Sequence, residues 1–193
     1  MTRDPNHTPS REESMAIAAA GLLRGATRGV QLDEEVNQNT PTRMAKALGE
    51  LLDGYDTDLT KLCTTFPAPS SDMVIVRDIP FSSMCEHHVL PFRGTVSIAY
   101  VPNGKIIGLS KVPRIVRAFS RRLQVQERLT FEVAEQLDEV LNPQGVLVVV
   151  EGVHSCAELR GIETRAEMVT FHCRGLFRDD QALRAEAMAL LKR

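Results

Sequence analysis

Tryptophan is absent from the 193 residues, and aromatics of all kinds make up only 5%. That scarcity disfavours a base-stacking platform for single-stranded nucleic acid. Charge of one sign is also lacking. The 23 Lys and Arg face 25 Asp and Glu, a formal net charge of −2, so no general basic field draws a polyanion. Any anionic ligand must be held by a local group of cations. No apolar run approaches the roughly 18 residues that a membrane span needs. The opening Met1-Thr2-Arg3-Asp4-Pro5-Asn6 has no apolar signal stretch, and charge continues through Arg11, Glu12 and Glu13, so a cytoplasmic location is expected. There is no glycine-rich dinucleotide fingerprint, no internal repeat and no low-complexity segment. Cysteine is sparse. Cys63, Cys85, Cys156 and Cys173 in an intracellular chain read as thiols or ligands rather than disulfides.

What is present suffices for a folded core: 43% of residues are hydrophobic, in a length that suits one domain with a helical extension. Residues 1–9 are polar and expected to fray. Ser10-Arg11-Glu12-Glu13 has the capping-box pattern and predicts a helix through Met15, Ile17, Leu22 and Leu23, ending near Gly25 or Gly29. Thr40-Pro41 predicts the start of a second helix, with Thr40 as cap and Pro41 at its first position, running to Gly54. From Asp72 the texture becomes β-rich. Strands are predicted over 73–79, 94–101 and 105–109, with a turn at Pro102-Asn103-Gly104. Helices follow near 111–121 and 125–141, the second stopped by Asn142-Pro143-Gln144-Gly145. Val146 to Val150 reads as a buried strand, 166–176 as a last strand, and 181–191 as a closing helix. The fold class is α+β: an N-terminal helical part, two antiparallel strand pairs and helices on one face of the sheet.

Two clusters carry the chemistry. Cys85-Glu86-His87-His88 packs a thiol and two imidazoles into four residues, and His154-Ser155-Cys156 adds one more of each about seventy residues later. Two thiols and one imidazole suit zinc, where magnesium or calcium would want oxygens. Three protein ligands leave a fourth position for water, whose pKa zinc lowers to about 7. Neighbouring histidines on extended backbone point to opposite faces, so one of His87 and His88 is expected at the metal and the other free for proton transfer. Lys111, Arg114, Arg117, Arg121, Arg122 and Arg160 form a basic set. Lys111 and Arg114 share a helix face, as do Arg43 and Lys46, but solvated surface explains either pair. Arg160 follows Cys156 so closely that it must lie near the metal, where a guanidinium invites phosphate or carboxylate. Glu127 fits a helix-dipole role or a carboxylate accepting two N–H groups from a guanine edge, and periodicity does not choose between them.

Taken together, Cys85-Glu86-His87-His88, Gly108-Leu109-Ser110-Lys111, Arg121 to Thr130 (RRLQVQERLT), and His154-Ser155-Cys156 with Arg160-Gly161 resemble GTP cyclohydrolase I over roughly Pro41 to Phe177. The resemblance implies the tunnelling fold, in which four-stranded antiparallel sheets join into a pentameric barrel and two rings stack as a decamer. It implies residues 41–193 as the catalytic domain, behind a tail and helix at 1–40. It implies hydrolysis and rearrangement of GTP to 7,8-dihydroneopterin triphosphate and formate, at the entry to folate and pterin synthesis. By motif position, Cys85, His88 and Cys156 would bind zinc, and His87 and His154 would move protons. Glu127 would anchor guanine with Gln126 beside it. Ser110, Lys111, Arg114 and Arg160 would hold the triphosphate, with Ser110 near the sugar steps. Arg43 and Lys46 would add charge from an adjoining subunit.

One stretch departs from the family pattern: Glu167 to Cys173 (EMVTFHC) stands where Ser and Thr are usual, which bears on strand packing and not on a proposed ligand. His172 and Cys173 there read as strand residues and Cys63 as a buried thiol. Rival readings are a paralogue that only opens the guanine ring or acts on a related purine nucleotide, a nitrile reductase of the same fold, and a non-catalytic zinc-stabilised scaffold.

Overall fold

The computed structural model describes residues 8–191, so of the start expected to fray, residues 1–7 lie outside the described residues. The chain forms two compact units that part between Leu52 and Asp53. In the first, helix α1 spans Arg11–Ala26 behind the expected capping box: the Glu13 amide donates to Ser10 Oγ at 3.2 Å, and the Ser10 amide donates to Glu13 Oε2 at 2.8 Å. Helix α2 spans Glu34–Leu51 and corrects the boundary expected at Thr40. Its N-cap is Asp33, and Glu34 and Glu35 place negative charge in its first turn, where the helix dipole favours it. Pro41 therefore lies inside the helix. Its missing N–H removes one bond to Asn37, and its burial shows that packing overrides the local penalty.

The second unit opens with two 3₁₀ turns, Asp53–Asp56 and Leu59–Leu62. There follow β1 (Thr65–Pro67), β2 (Val74–Cys85), β3 (Pro91–Val101), β4 (Lys105–Ile107), α3 (Lys111–Ser120) and β5 (Leu123–Gln124). Then come α4 (Gln126–Leu141), β6 (Gly145–His154), α5 (Ser155–Glu158), β7 (Glu167–Gly175), α6 (Leu176–Asp179) and α7 (Gln181–Leu191). The main sheet has the order β5-β2-β3-β6-β7. Its four long strands are antiparallel as expected. Two features were not foreseen: the parallel pairing of β5 with the Cys85 end of β2, and the pairing of β4 with β1 in a separate ribbon. Asn142, in the left-handed conformation at φ 44°, ends α4 at the expected place.

Helices do not all lie on one face. Val96, Ile98, Tyr100, Val146, Val148 and Val150 share a core with α3 and α4, whereas Ala99, Val101, Leu147 and Val149 pack with Phe177, Ala187 and Leu191. Covering on both sides explains why β6 is a continuous apolar run instead of an alternating one. Strand β7 pairs with β6 along its length, and its outer edge has no strand partner among the described residues. Leu137 on α4 is fully buried, so Leu137→Ala should lower unfolding free energy by about 2–5 kcal/mol in a urea titration. The exposed Leu22 replaced by Ala should stay within about 0.5 kcal/mol of the parent.

Candidate metal centre and active site

Strand order closes the seventy-residue gap between the two clusters. Met84 on β2 pairs with Pro91 on β3, and Phe92 pairs with His154 on β6. The end of β2, which carries Cys85, and the exit of β6, which carries His154 and Cys156, therefore flank the same end of β3. The loop after Cys85 is a tight turn: the Val89 amide donates to the Cys85 carbonyl at 2.8 Å, and the Cys85 amide donates to the Leu90 carbonyl at 2.9 Å. That turn corrects the extended backbone expected for His87 and His88. One helical turn brings residues three apart to the same side, and Cys85 Sγ lies 3.8 Å from His88 Nδ1 and 3.9 Å from His87 Nδ1.

The donor atoms of Cys85, His88 and Cys156 lie within 4.8 Å of one another, a group placed to hold a metal ion. Its chemistry fits a soft-to-borderline dication. Burial, together with the neighbouring Cys85, pushes the Cys156 thiol up, while the charge of Arg160 opposes that rise. Two thiolates so close together are mutually repulsive, and a bound cation is what relieves them. Glu86 fastens the loop from outside. It pairs with Arg128 of α4, which holds its carboxyl below the usual range, and its amide donates to the Gln124 carbonyl at 3.0 Å. Arg128 Nε donates to Gln124 Oε1 at 2.9 Å, and Gln124 Nε2 to Glu132 Oε2 at 2.7 Å.

His154 stacks on Phe92 with ring centroids 4.6 Å apart and planes 6° from parallel. Burial lowers its pKa, and the nearby Glu127 carboxylate partly offsets this. Its Nε2 lies 3.0 Å from Gln126 Oε1. Gln126, expected beside Glu127 at the guanine, is fully buried, whereas Glu127 at the start of α4 is exposed. Buried Gln126 is the feature that sequence reasoning missed, since only the fold separates its environment from that of its exposed neighbour.

The basic residues are dispersed. Arg160 is exposed beside Cys156. Ser110, Lys111 and Arg114 stand at the start of α3, after β4, and so near the Tyr100 end of β3. From Phe92 to Tyr100 is eight residues of strand, roughly 26 Å. Within one chain the metal group and this cation set occupy opposite ends of the sheet. Ser110 caps α3 by position without a side-chain bond. Arg117 pairs with Asp53, and Arg122 lies over Phe119 at 4.8 Å while donating to the Gly54 carbonyl, so both are engaged inside the unit. In the first unit Arg43 pairs with Glu35 at 2.7 Å and Lys46 with Glu12 at 4.0 Å. His172 meets the edge of Phe131 and lies 3.6 Å from Glu135, which Arg174 also binds. Cys63 is half-buried, with Sγ 3.2 Å from the Leu59 carbonyl.

The Cys156→Ala variant should purify with little bound metal, against about one ion per chain for the parent. Elemental analysis beside far-UV circular dichroism checks this. The helix signal should persist, because Cys156 is only half-buried at the rim of a large core.

Comparison with known sequences fits this arrangement. The pattern of the GTP cyclohydrolase I family matches residues 19–192. The chain is 47% identical over 170 residues to GTP cyclohydrolase 1 of Deinococcus radiodurans, spanning 86% of this chain and 79% of that protein. It is 44% identical over 193 residues to GTP cyclohydrolase 1 of Chlorobaculum tepidum, spanning 97% and 85%. It is 45% identical over 169 residues to the enzyme of that name in Leptospira biflexa, spanning 84% and 92%. With the thiol, imidazole and carboxylate groups gathered at one end of its sheet, the chain belongs to the GTP cyclohydrolase I family.

Proposed function

We propose that the protein is a zinc-dependent GTP cyclohydrolase I that converts GTP and water to 7,8-dihydroneopterin triphosphate and formate, with residues 41–193 as its catalytic part. The observation that carries this reading is the thiol–imidazole–thiol group beside His154 and Glu127, in a chain of this family. Cys85, His88 and Cys156 would hold the zinc, which would supply an activated water at neutral pH for hydrolysis at C8 of guanine. Glu127 accepts two N–H groups of the guanine edge, which orients C8 toward the metal group. His154 takes up the proton that the attacking water gives up and passes it to the purine nitrogen as the C8–N bond breaks, which makes nitrogen a competent leaving group. His87, exposed at the same turn, is the second proton carrier. A second hydrolysis releases formate. The sugar then opens and rearranges with the help of Ser110, and the freed amine closes on the ribose-derived carbonyl.

GTP brings about four negative charges to a protein of net charge −2, so the triphosphate needs its own cations. Arg160 is the local one. Lys111 and Arg114 stand at the far end of the same sheet, which supports a site completed by another copy, with Arg43 and Lys46 contributed across a subunit contact. Val169 (58% exposed) and Phe171 (57% exposed) lie on β7, whose outer edge no strand among the described residues pairs. The edge of β2 is paired by β5 only at Met84 and Cys85. Edge-to-edge joining of these strands into a tunnelling-fold barrel, assembled as two stacked pentamers, covers both.

Incubation with GTP should yield a fluorescent pterin and one formate per turnover. Formate or a formamide without pterin would instead assign the chain to ring opening alone. His154→Ala should keep its zinc and lose at least about 100-fold in ring opening. Glu127→Gln should raise the KM for GTP roughly tenfold or more, while binding of ATP barely changes. Undiminished turnover in the first variant, or equal effects on both nucleotides in the second, removes the corresponding role.

The shared site has its own test. Cys156→Ala and Lys111→Ala should each be nearly inactive. After dissociation and reassembly together they should recover about one quarter of parental activity, the chance that an intact metal end meets an intact cation end. No recovery would confine the site to a single chain.

A further inference from the structure

We propose that Gln126 is a positioning residue and not a substrate contact: its amide oxygen accepts the Nε2 proton of His154, holding the ring in one tautomer with Nδ1 as the nitrogen that exchanges a proton with the substrate. The tautomer follows from the packing alone. The role of Nδ1 rests on the cyclohydrolase reading above.

The hydrogen-bond census around Gln126 has one solution. Nε2 lies 3.0 Å from the Val150 carbonyl, 2.8 Å from the Met168 carbonyl and 3.3 Å from Thr170 Oγ1. Backbone carbonyls only accept, so the nitrogen of the amide must face them. Turning the amide over would set its oxygen against two carbonyl oxygens at a fully buried position, a costly arrangement with no compensating donor. The hydroxyls agree. Thr130 Oγ1 gives its single proton to the Gln126 carbonyl at 2.7 Å, so the 2.6 Å contact between Thr130 and Thr170 must be donated by Thr170. Thr170 Oγ1 is thereby left with a lone pair toward the Gln126 amide.

With the nitrogen fixed, Oε1 is the atom 3.0 Å from His154 Nε2. An amide oxygen has no proton to give, so the imidazole nitrogen opposite it must carry one. The neutral ring then has its lone pair on Nδ1. Phe92 fixes the plane of the ring by stacking on it. Gly152 makes the approach possible, since a Cβ at that position would lie 2.6 Å from Gln126 Oε1. For Gln126 to reach a guanine edge, its side chain would have to give up its bonds to the Val150 and Met168 carbonyls and leave the imidazole without its acceptor.

Magic-angle-spinning ¹⁵N NMR of the zinc-loaded, [¹⁵N]histidine-labelled full chain at pH about 8.5, well above the ordinary imidazole range, tests the assignment. The His154 signals are identified by their loss in His154→Ala. The expected spectrum shows a protonated Nε2 and a bare Nδ1. In Gln126→Met these signals should become a mixture of tautomers, and kcat for GTP should fall roughly 10- to 100-fold with KM changed less than about twofold. Gly152→Ala displaces Oε1 without removing any donor and should shift the same signals, which keeps the test open if Gln126→Met fails to fold. A proton on Nδ1 in the parent overturns the proposal. So does a Gln126→Met variant that raises KM as Glu127→Gln does while leaving the His154 signals in place. A parent with the expected tautomer but no pterin from GTP overturns the cyclohydrolase reading instead, and with it the role given to Nδ1.

Discussion

Backbone pairing along β3 is the constraint on which the position of every reactive group depends. β3 lies between β2 and β6, and each register is fixed by which residues must face the two cores. A slip of one residue between β3 and β6 would turn Phe92 and His154 to opposite faces of the sheet. Val96 and Ile98 point to the α3 and α4 side while Ala99 and Val101 point to the α7 side. The slip is therefore resisted twice, once by each layer of helices. Burial far from the chemistry decides that Cys85 and Cys156 meet.

The loop between the metal-ligating residues is short, but it is not left to itself. Reciprocal backbone bonds close it from Cys85 to Leu90, and the Glu86–Arg128 pair ties it to α4. Gln124 joins Arg128 to Glu132 and to the Phe119 carbonyl, so a half-buried charge network runs from the loop into the helical layer. Such groups cost little when every member has a partner and are expensive when one lacks it. The same rule governs Gln126 and Thr130, also on α4, with Thr170 of β7. Two polar networks on one helix thus steady the two halves of the site, one the turn and the other the imidazole.

Much of this could be read from the residues, and the exceptions have physical reasons. The Ser10 capping box, the Asn142 stop and the buried run at Val146 to Val150 are local signals with one common outcome, and the structure agrees with each. Thr40-Pro41 misled because a proline start signal is also met inside helices, where packing compensates the missing bond. His87 and His88 misled because their orientation depends on loop closure, which single-residue propensities do not encode. The parallel β5 strand is two residues long and carries no periodicity at all. Gln126 and Glu127 are polar neighbours that only the third dimension tells apart. The segment Glu167 to Cys173, whose composition put its packing in question, pairs with β6 from Glu167 on, because ladder bonds need backbone rather than Ser or Thr side chains. Its one hydroxyl toward the site, Thr170, is the one that the buried network uses.

Gly152 is more than a gap in the side-chain pattern of β6. The amide oxygen of a residue on another element occupies the space where its side chain would begin, and that oxygen in turn faces the imidazole two positions along the same strand. Positions 126, 152 and 154 are consequently not free to drift one at a time. A larger residue at 152 displaces the Gln126 amide oxygen, and a shorter one at 126 leaves the ring without its acceptor. A change at any one of the three positions is therefore felt at the other two, and the imidazole at the strand end inherits the size of a side chain it does not touch.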